Sequence, residues 1–406
     1  MNEISQKLKL PEGWKWVRLG EVLQGQNERT GRKELSPVAI GIKGVRERDE
    51  IYYKDLAEDY SNNKLFKYGF VAFGLGSDEI AVGVNIYRED HCVSPAYKVF
   101  KILNEDILFF HYYMNFIKRL YGNKFLMVSA RQGKNVDFKW FIQEHVSLPP
   151  LPEQQKIAEI LETVDNAREK TDQIIEKYKR IKQGLMQELL TKGIDENGKI
   201  RTEKTHHFKA SPIGRIPEEW EVKRLGEVTE IYDNKRVPLD SEVRTTMKGE
   251  VPYCGATGII DYINDYIFEG EFVLIAEDGG KFNRFEDTSY IMRGKFWVNN
   301  HAHVVKGKNA ILNNLFLVYS INFQDIGFYI LGSTRDKLNQ QVLKSILIPL
   351  PPLSEQQRIA AILSQIDEVI EKETQYRDKL KRLKAGLMED LLTGKVEVNH
   401  LIKEEA

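Results

Sequence analysis

A pair of histidines, His301 and His303, is the arrangement in this chain that comes nearest to a metal site. Alternate residues of a strand point to the same face, so both imidazoles would lie side by side in the run HAHVVKG. A zinc site needs further ligands, and no third ligand is evident in the sequence. Two hydrogen-bonded structural histidines therefore explain the pair better, and we predict no metal site.

Other short motifs match enzymatic sites only in part. Glu221-x-Lys223 and Asp137-x-Lys139 fit the acidic-x-lysine fragment of nucleases, but no convincing acidic partner precedes them. Residues 69–77, GFVAFGLGS, match neither the dinucleotide fingerprint nor the P-loop, and a strand followed by a turn is the simpler interpretation. Ser94-Pro-Ala-Tyr97 lacks one proline of the amino-methyltransferase motif and is typical of a turn. The sequence thus predicts no catalytic residue.

Basic side chains in polar segments of both halves indicate a different chemistry, which is contact with DNA. Lys and Arg neutralise phosphates, whereas hydrogen bonds in the grooves read the bases. A solvated surface of mixed charge explains most of these residues, and only a minority is expected to contact DNA. The candidates are Arg29, Arg32, Lys33, Lys43, Arg46, Arg48, Arg131, Lys134, Lys235, Arg236, Lys281, Arg284, Arg335 and Lys337.

Length and composition describe a globular protein and exclude a histone-like coat for nucleic acid. The 406 residues suffice for two or three domains, and the formal net charge is only −1. Residues 1–150 carry 22 basic against 19 acidic side chains, and residues 211–352 carry 16 against 19. Any positive surface is therefore local.

Cysteine content and hydropathy bear on the compartment. Cys92 and Cys254 are the only cysteines and lie far apart, which argues against disulfides and a cysteine-built zinc site. No apolar run reaches the ~18–20 residues of a membrane span, and the first residues lack the apolar core of a signal peptide. We therefore expect a cytoplasmic protein without a membrane segment.

The chain repeats itself, which fixes its domain organisation. PEGWKWVRLGEV returns as PEEWEVKRLGEV, and LPPLPEQQKIAEILETVD returns as LPPLSEQQRIAAILSQID. KQGLMQELLTKG also returns, as KAGLMEDLLTGK. The first members of these pairs begin at residues 11, 148 and 182, and the second members at 217, 350 and 384. Each half thus consists of a variable globule between a repeated entry segment and a repeated helix.

Each half closes with an apolar pattern of period 3.5 that predicts a helix of about 38–40 residues, roughly 60 Å long. A helix of this length cannot bury its apolar stripe within one small domain, so we expect the two helices to pair antiparallel. The positions assigned to the helix pair are Ile157, Leu161, Val164, Ile175, Tyr178, Leu185, Ile359, Leu363, Ile366, Ile370, Leu380 and Leu387.

Two details of these helices are interpreted here as well. Gly184 and Gly386 occupy equivalent positions, although glycine in a helix costs about 1 kcal/mol relative to alanine. Duplication of a neutral glycine is one explanation, and we favour close backbone approach at a helix crossing or a partner contact. Ser354 with Gln357 predicts a capping box for the second helix, whereas the first helix would start with Pro152.

Together these patterns predict an α+β fold with a pseudo-two-fold internal repeat. Short β-branched and aromatic runs predict irregular mixed sheets in both globules, and residues 107–121 have helical spacing. Two globular mixed α/β domains would be separated by two long antiparallel coiled-coil helices. The expected boundaries are 1–150 for the first domain, 151–193 for its helix, 194–216 for a linker, 217–352 for the second domain, 353–393 for its helix and 394–406 for a tail.

The whole pattern resembles the DNA specificity (S) subunits of type I restriction–modification enzymes. In that family two variable globules are each followed by a long helix that opens with Pro-Leu-x-Glu-Gln and closes with Gly-Leu-Met, as here. Trp14 to Val22 and Trp220 to Val228 resemble the entry segments of its target recognition domains. Residues 274–280 and 296–305 resemble segments within these domains, so the similarity covers nearly the whole chain.

The resemblance implies a non-catalytic subunit whose two target recognition domains each read one half of a bipartite, asymmetric site in double-stranded DNA. The helix pair would set the spacing of the two halves and dock two methylation subunits, which motor-nuclease restriction subunits would join. This subunit would bind no cofactor, and its partners would use S-adenosylmethionine, ATP and Mg. The missing nucleotide-binding glycine loops agree with that division of labour.

Two alternatives from other functional classes remain open at this point. A coiled-coil scaffold would use its globules to bind proteins, and it would shift no DNA duplex even with its partners. A stand-alone nuclease would use one of the acidic-x-lysine triplets, and it would cleave DNA with Mg²⁺ alone.

Overall fold

The computed structural model describes residues 10–31, 34–41, 44–48, 59–75, 80–121, 126–129, 133–330 and 337–402. The chain divides into two units, the first formed by Met1–Asp172 with Tyr376–Ala406 and the second by Gln173–Gln375. Each unit thus contains one globule, the first part of its own long helix and the last part of the other long helix.

The globule of the first unit is built from short strands, which are β1 (Lys15–Arg18), β2 (Leu23–Gln26), β3 (Val38–Gly41), β4 (Gly44–Glu47), β5 (Lys64–Phe66), β6 (Phe70–Leu75), β7 (Ile80–Val84), β8 (His91–Val93), β9 (Lys98–Ile102), β10 (Leu126–Ser129), β11 (Gly133–Val136) and β12 (His145–Leu148). Its helices are α1 (Leu19–Val22), α2 (Ile107–Tyr121) and α3 (Phe138–Phe141). An antiparallel sheet of order β2-β9-β6-β7 lies at the centre, and β1 pairs with β12 to join the two ends of the globule.

The core of this globule lies between α2 and the central sheet. Phe109, Phe110 and Met114 of α2 are buried in the same cluster as Val71 and Val82 of the sheet. Alternate residues of a strand face opposite sides, and apolar residues of a helix recur every three to four positions, so both elements bury one face. The helix predicted over residues 107–121 is confirmed.

The globule of the second unit follows the first long helix, α4 (Leu151–Leu189). Its strands are β13 (Phe208–Ser211), β14 (Gly214–Pro217), β15 (Glu221–Arg224), β16 (Thr229–Ile231), β17 (Lys248–Gly255), β18 (Gly258–Ile263), β19 (Phe268–Ala276), β20 (Ser289–Val298), β21 (Ala302–Gly307) and β22 (Leu347–Leu350). Its α-helices are α5 (Leu225–Val228), α6 (Ser241–Thr246), α7 (Asn314–Phe323) and α8 (Gln340–Ser345), and the chain continues into α9 (Leu353–Leu392). Short 3-10 helices span Asp233–Lys235, Ile326–Tyr329 and Asn399–Leu401.

A mixed sheet of order β16-β21-β19-β20-β17-β18 forms the centre of the second globule. The β17–β20 pair is parallel, and the other pairs of this sheet are antiparallel. Strand β15 pairs with β22, as β1 does with β12 in the first unit. The predicted α+β class and internal repeat are confirmed, although the two central sheets differ in strand number and order.

The two long helices pair antiparallel within each unit. In the first unit Lys384 lies 2.6 Å from Asp165, and Arg377 lies 3.7 Å from Asp172. Seven residues forward along α4 therefore correspond to seven residues back along α9. In the second unit Lys182 of α4 lies 2.6 Å from Asp367 of α9, so the predicted antiparallel pairing is confirmed.

The ends of the helices belong to the cores of the globules. Ile157 and Leu161 at the start of α4 share the first core with Leu391 near the end of α9. Ile359 and Leu363 share the second core with the end of α4. Of the other assigned positions, Ile175 and Leu380 are buried, and six are half-buried. They are Val164, Tyr178, Leu185, Ile366, Ile370 and Leu387.

Three details differ from the expectations drawn from the sequence. Helix α9 begins at Leu353, before Ser354, and α4 begins at the equivalent Leu151, so the capping box is wrong and both starts are alike. Among the described residues, nothing lies within 4 Å of a Cβ added to Gly184 or Gly386, so the helix crossing is also wrong. Residues 194–216, expected as a linker, bury Ile194 and Ile216 in the second core.

Candidate nucleic-acid interface

The first globule brings part of its basic candidates together with two lysines that the sequence reasoning missed. Arg29 donates to the carbonyl of Asn62 at 2.6 Å, and its backbone forms a β-bridge with Lys64. Lys64 is buried and donates to the carbonyl of Tyr97. Burial lowers the pKa of Lys64, and the charges of Lys98 and Arg29 lower it further. Mutual repulsion of this kind marks a positive cluster, which favours an approaching phosphate.

Among the other candidates of the first globule, Arg46 and Arg48 lie within the described residues. Arg46 is half-buried on β4, and the guanidinium of Arg48 lies 6.0 Å from the ring centroid of Tyr60. The side chain of Lys134 on β11 lies outside the described part of the structure, and so do four further candidates. These are Arg32, Lys33, Lys43 and Arg131.

In the second globule, Lys235, Lys281 and Lys337 are exposed. The ammonium of Lys235 lies 5.2 Å from the ring centroid of Tyr232, and Lys337 pairs with Glu277 at 3.0 Å. Arg335 lies outside the described residues. Three lysines thus remain at the surface as candidates for phosphate contact.

Two arginine candidates of the second globule have internal partners instead. Arg236 donates to the carboxylate of Glu277 at 2.6 Å and to the carbonyl of Ala302 at 2.9 Å. Arg284 lies over the ring of Phe323 at 4.3 Å and donates to Gln187 of α4 at 2.6 Å. The side chain of Arg236 is only 14% exposed, so its hydrogen bonds serve the fold. Arg284 lies at the surface and stays a candidate for DNA contact.

The motifs that pointed to catalysis have structural roles. Asp137 accepts the backbone N–H groups of Lys139 and Trp140 and caps α3, and Glu221 pairs with the neighbouring Lys223 at 2.9 Å. A Cβ on Gly74 would lie 1.8 Å from the ring of Tyr97, so this glycine permits packing. Residues 94–97 form the predicted turn, in which the Tyr97 N–H donates to the carbonyl of Ser94.

Both histidines are hydrogen-bonded to acidic side chains, and only His303 lies on β21. His303 contacts Asp233 through Nδ1 at 2.7 Å and the carbonyl of Leu338 through Nε2 at 2.6 Å. His301 contacts Asp278 at 2.5 Å. No group of three His, Cys, Asp or Glu side chains among the described residues could hold a metal ion.

A joint between each entry segment and its long helix explains why both motifs repeat. The indole N–H of Trp14 donates to Glu153 at 3.0 Å, and that of Trp220 donates to Glu355 at 3.2 Å. All four residues are buried. The tryptophan of the entry segment and the glutamate of the Pro-Leu-x-Glu-Gln motif therefore form one buried contact in each unit.

The glutamine that follows each glutamate fixes the start of the globule's main helix. Gln154 accepts the backbone N–H of Asp106 at 3.0 Å and donates to the carbonyl of Pro149. Gln356 makes the equivalent bonds, accepting from Asn313 at 2.9 Å and donating to the carbonyl of its own preceding loop. Each long helix is thereby tied to the segment that precedes α2 or α7.

A tyrosine, an aspartate and a lysine form a second repeated contact, which we call the triad. In the first unit Asp165 accepts from Tyr112 at 3.0 Å and from Lys384 at 2.6 Å. In the second unit Asp367 accepts from Tyr319 at 2.7 Å, and Lys182 lies 2.6 Å from it. Burial raises the pKa of Tyr112 and of Tyr319, and the adjacent carboxylate raises it further.

The triad joins three helices at one point in each unit, which are the globule's main helix and both long helices. Its aspartate and lysine recur at the same offset of 202 residues as the helix motif. That recurrence is the signal by which sequence comparison could have found the pair, whereas the tyrosines lie in the divergent globules.

Comparison with known proteins agrees with this architecture. The family model of the type I restriction modification DNA specificity domain matches residues 11–180 and again residues 217–382. Because the two matches cover most of the chain, the protein belongs to this family of DNA specificity proteins. Members of the family recognise DNA and are not catalytic, so DNA recognition is confirmed, and the nuclease and the protein-binding scaffold are not supported.

Individual relatives place the chain within that family. It is 27% identical to the MjaVIII specificity subunit of a type I restriction enzyme from Methanocaldococcus jannaschii, over 97% of this chain and 95% of that one. It is 44% identical over 148 residues to a putative type I specificity subunit of Haemophilus influenzae, which is 36% of this chain and 37% of that protein.

Solved structures show the same fold. The S subunit of a type I restriction-modification system from M. genitalium has a TM-score of 0.61 at 16% identity, over 95% of this chain and 98% of that one. A chain from a structure on complex assembly and conformational transition of the type I R-M system has a TM-score of 0.52 at 18% identity, over 96% of this chain and all of that one. The described helices include none that is long and apolar enough to cross a membrane.

Proposed function

We propose that the two globules of this specificity protein read the two halves of one bipartite, asymmetric site in double-stranded DNA. The proposal rests on one observation: the two globules differ, while the contacts that attach them to the long helices are alike. The Trp–Glu hydrogen bond and the Tyr–Asp–Lys triad recur in both units. The central sheets beside them differ in strand order and number. Different recognition surfaces on equivalent supports are what an asymmetric bipartite site requires.

Phosphate contacts would supply most of the affinity in this proposal. Arg29 and Lys98 are exposed beside the buried Lys64 in the first globule, and Lys235, Lys281 and Lys337 offer exposed charges in the second. Such contacts hold a protein in register on the duplex, while the bases are read by groups that reach into the grooves.

The partners belong to the same proposal. Two methylation subunits would dock on the long helices, and motor-nuclease restriction subunits would join them on DNA. Gly184 and Gly386 are exposed at equivalent positions, and no atom of the described residues lies within 4 Å of a Cβ added to either, which supports a partner contact on each helix. The chain itself would bind no cofactor, and the partners would use S-adenosylmethionine, ATP and Mg in the cytoplasm.

Mapping of methylated adenines tests the proposal directly. The chain, expressed with its methylation partner in a host that lacks other adenine methylation, should direct modification to one bipartite sequence with two unlike halves. Single-molecule sequencing gives both halves and the gap between them. Modification without a preferred sequence, or at a single continuous sequence, would contradict it.

Lengthening the helices tests whether they set the gap. One heptad inserted after Gln173 in α4 and another after Gln375 in α9 adds ~10 Å to each helix, because each residue rises 1.5 Å. That length corresponds to about three base pairs of duplex. Both half-sites should remain the same while the gap between them lengthens. An unchanged gap would refute the idea that the helix pair sets the spacing.

A further inference from the structure

A network of buried charges lies beneath the exposed lysines of the second globule. The side chains of Asp233, Glu277 and His303 are 6%, 11% and 1% exposed. Arg236, at 14%, completes the set. Groups so deeply buried do not reach DNA, yet the network connects the segments that carry the lysines.

Asp233 joins the 3-10 helix that carries Lys235 to two other segments. One carboxylate oxygen accepts the backbone N–H of Val304 at 3.0 Å. The other lies 2.7 Å from Nδ1 of His303 and accepts from Gln340 at 2.9 Å. These hydrogen bonds lower the pKa of Asp233 although burial opposes them. The carboxylate thus fixes the 3-10 helix of Lys235 to β21 and to the start of α8.

The backbone of Leu338 is held by hydrogen bonds at both its N–H and its carbonyl. Its N–H donates to the carbonyl of Glu277 at 2.7 Å, and its carbonyl lies 2.6 Å from Nε2 of His303. The side chain of Glu277 accepts from Arg236 and pairs with Lys337 at 3.0 Å. The position of Lys337 is therefore set by the same two residues, Glu277 and His303, that hold Leu338.

The loop that carries Lys281 starts from the network as well. The N–H of Glu277 donates to the carbonyl of His301 at 2.9 Å, and Asp278 forms a β-bridge with Lys337. The three exposed lysines thus project from segments that share one set of hydrogen bonds. A buried charge that loses its partner is strongly unfavourable. Loss of one member of the network is therefore expected to displace the members bonded to it.

We infer that Asp233, Glu277 and His303 are positioning residues for reading the second half-site. They hold three loops in one arrangement, and the lysines and neighbouring groups of these loops meet the DNA. This inference rests on the proposed function, because it assigns the network to one of the two half-sites. It predicts that damage to the network relaxes the reading of one half-site and leaves the other half-site unchanged.

Two variants and a matched control test the inference. Asp233→Asn and His303→Gln each remove one charged or paired group of the network with little change in volume. Ser289→Ala is the control, since Ser289 is buried in the same globule and hydrogen-bonded to Asn322 at 3.0 Å, outside the network. Melting temperatures select conditions under which all three variants are folded. Methylated sites are then mapped in complex with the methylation partner.

We expect both network variants to lower the discrimination against single mismatches in one half-site by about tenfold, which is within the range that one displaced base contact accounts for. The other half-site and the Ser289→Ala map should match the wild type. Equal loss in both halves, or no change in either, would overturn the inference while leaving the bipartite site intact. A wild-type map without two halves would instead overturn the proposed function.

Discussion

Glu153 in the first unit and Glu355 in the second occupy the same position of the repeated motif, and each accepts a hydrogen bond from a tryptophan. Glu355 also accepts the N–H of Ile194 at 2.9 Å and forms a two-pronged ion pair with Arg201. Among the described residues, Oε1 of Glu153 has no hydrogen-bond partner. Within the described residues, a cation therefore neutralises the glutamate of the second unit, and none pairs with the glutamate of the first.

The two joints also differ in how the pKa values of their charged side chains are shifted. Burial raises the pKa of Glu153, although Trp14 and the backbone of Val398 oppose this, and the charge of Glu397 raises the pKa further. Burial by itself would lower the pKa of Arg201, but the hydrogen bonds and charge of Glu355 raise it overall. The repeat thus keeps a glutamate at this position in both units. The segment that follows α4 supplies Arg201 to the glutamate of the second unit.

The largest expected effect breaks the charged joint. Glu355→Gln takes from the buried Arg201 the carboxylate that binds both of its Nη atoms and leaves Glu219, at 3.2 Å and 47% exposed, as its remaining partner. Removing one partner of a buried ion pair costs about 3–5 kcal/mol, so with Glu219 still present we expect a loss near the lower end, about 3 kcal/mol. Glu153→Gln should change stability by less than about 1 kcal/mol, because Trp14 keeps an acceptor and no cation loses its partner. Hydrogen exchange of residues 190–201 and of residues 391–398 reports each joint separately. Equal losses in both variants would show that the joints do not differ.

A pH series sharpens the same comparison. The raised pKa of Glu153 means that its protonated form is favoured in the folded protein. The corresponding stability is complete below the ordinary glutamate pKa and is lost as pH rises through the raised value. Protection of residues 391–398, corrected for intrinsic exchange, should fall in the wild type as the pH rises above the ordinary range of a glutamate pKa. Glu153→Gln should abolish this dependence, and its persistence would assign the effect to another group.

Where the two units are alike, the effects should be alike. Asp165→Asn and Asp367→Asn each weaken a triad, and a hydrogen bond to a charged group contributes about 1.5–3 kcal/mol. Asp165 is 23% exposed and Asp367 39%, so the first variant should be the more costly. Glu176→Gln is the control, since its pair with Lys179 is exposed to solvent and should contribute little to stability. Chemical denaturation measures all three, and a triad loss no larger than the control would refute its role.

The smallest expected effects concern single phosphate contacts. Lys98→Ala in the first globule and Lys281→Ala in the second should each reduce the slope of log affinity against log salt by about 0.9 if one phosphate contact is lost. Lys372→Ala, at an exposed site on α9, should leave the slope unchanged. Titration of the cognate duplex at several salt concentrations distinguishes these outcomes. A slope altered by Lys372→Ala would show that net charge alone is responsible.

Several features of the interface could not be predicted from residue types. Arg236 and Arg284 stand in the same polar, basic surroundings as Lys235 and Lys281, yet their side chains pair with Glu277 and Phe323. Lys64 gave no signal because it lies in a plain strand, and its charge becomes important only beside Arg29 and Lys98. Partners of this kind come from distant parts of the chain, so spacing along the sequence does not show them.

The sequence by itself determined the repeat, the α+β class, the two long helices and the DNA-recognition family, because periodicity and duplicated motifs are local properties of the chain. Only the tertiary structure decided which buried carboxylate has a cation and which basic residues stay at the surface. The glycines show the same limit: their equivalence is written in the sequence, but the open space above Gly184 and Gly386 depends on what packs nearby. Burial and electrostatic pairing depend on neighbours that folding brings together, often more than 100 positions apart, as with Glu355 and Arg201.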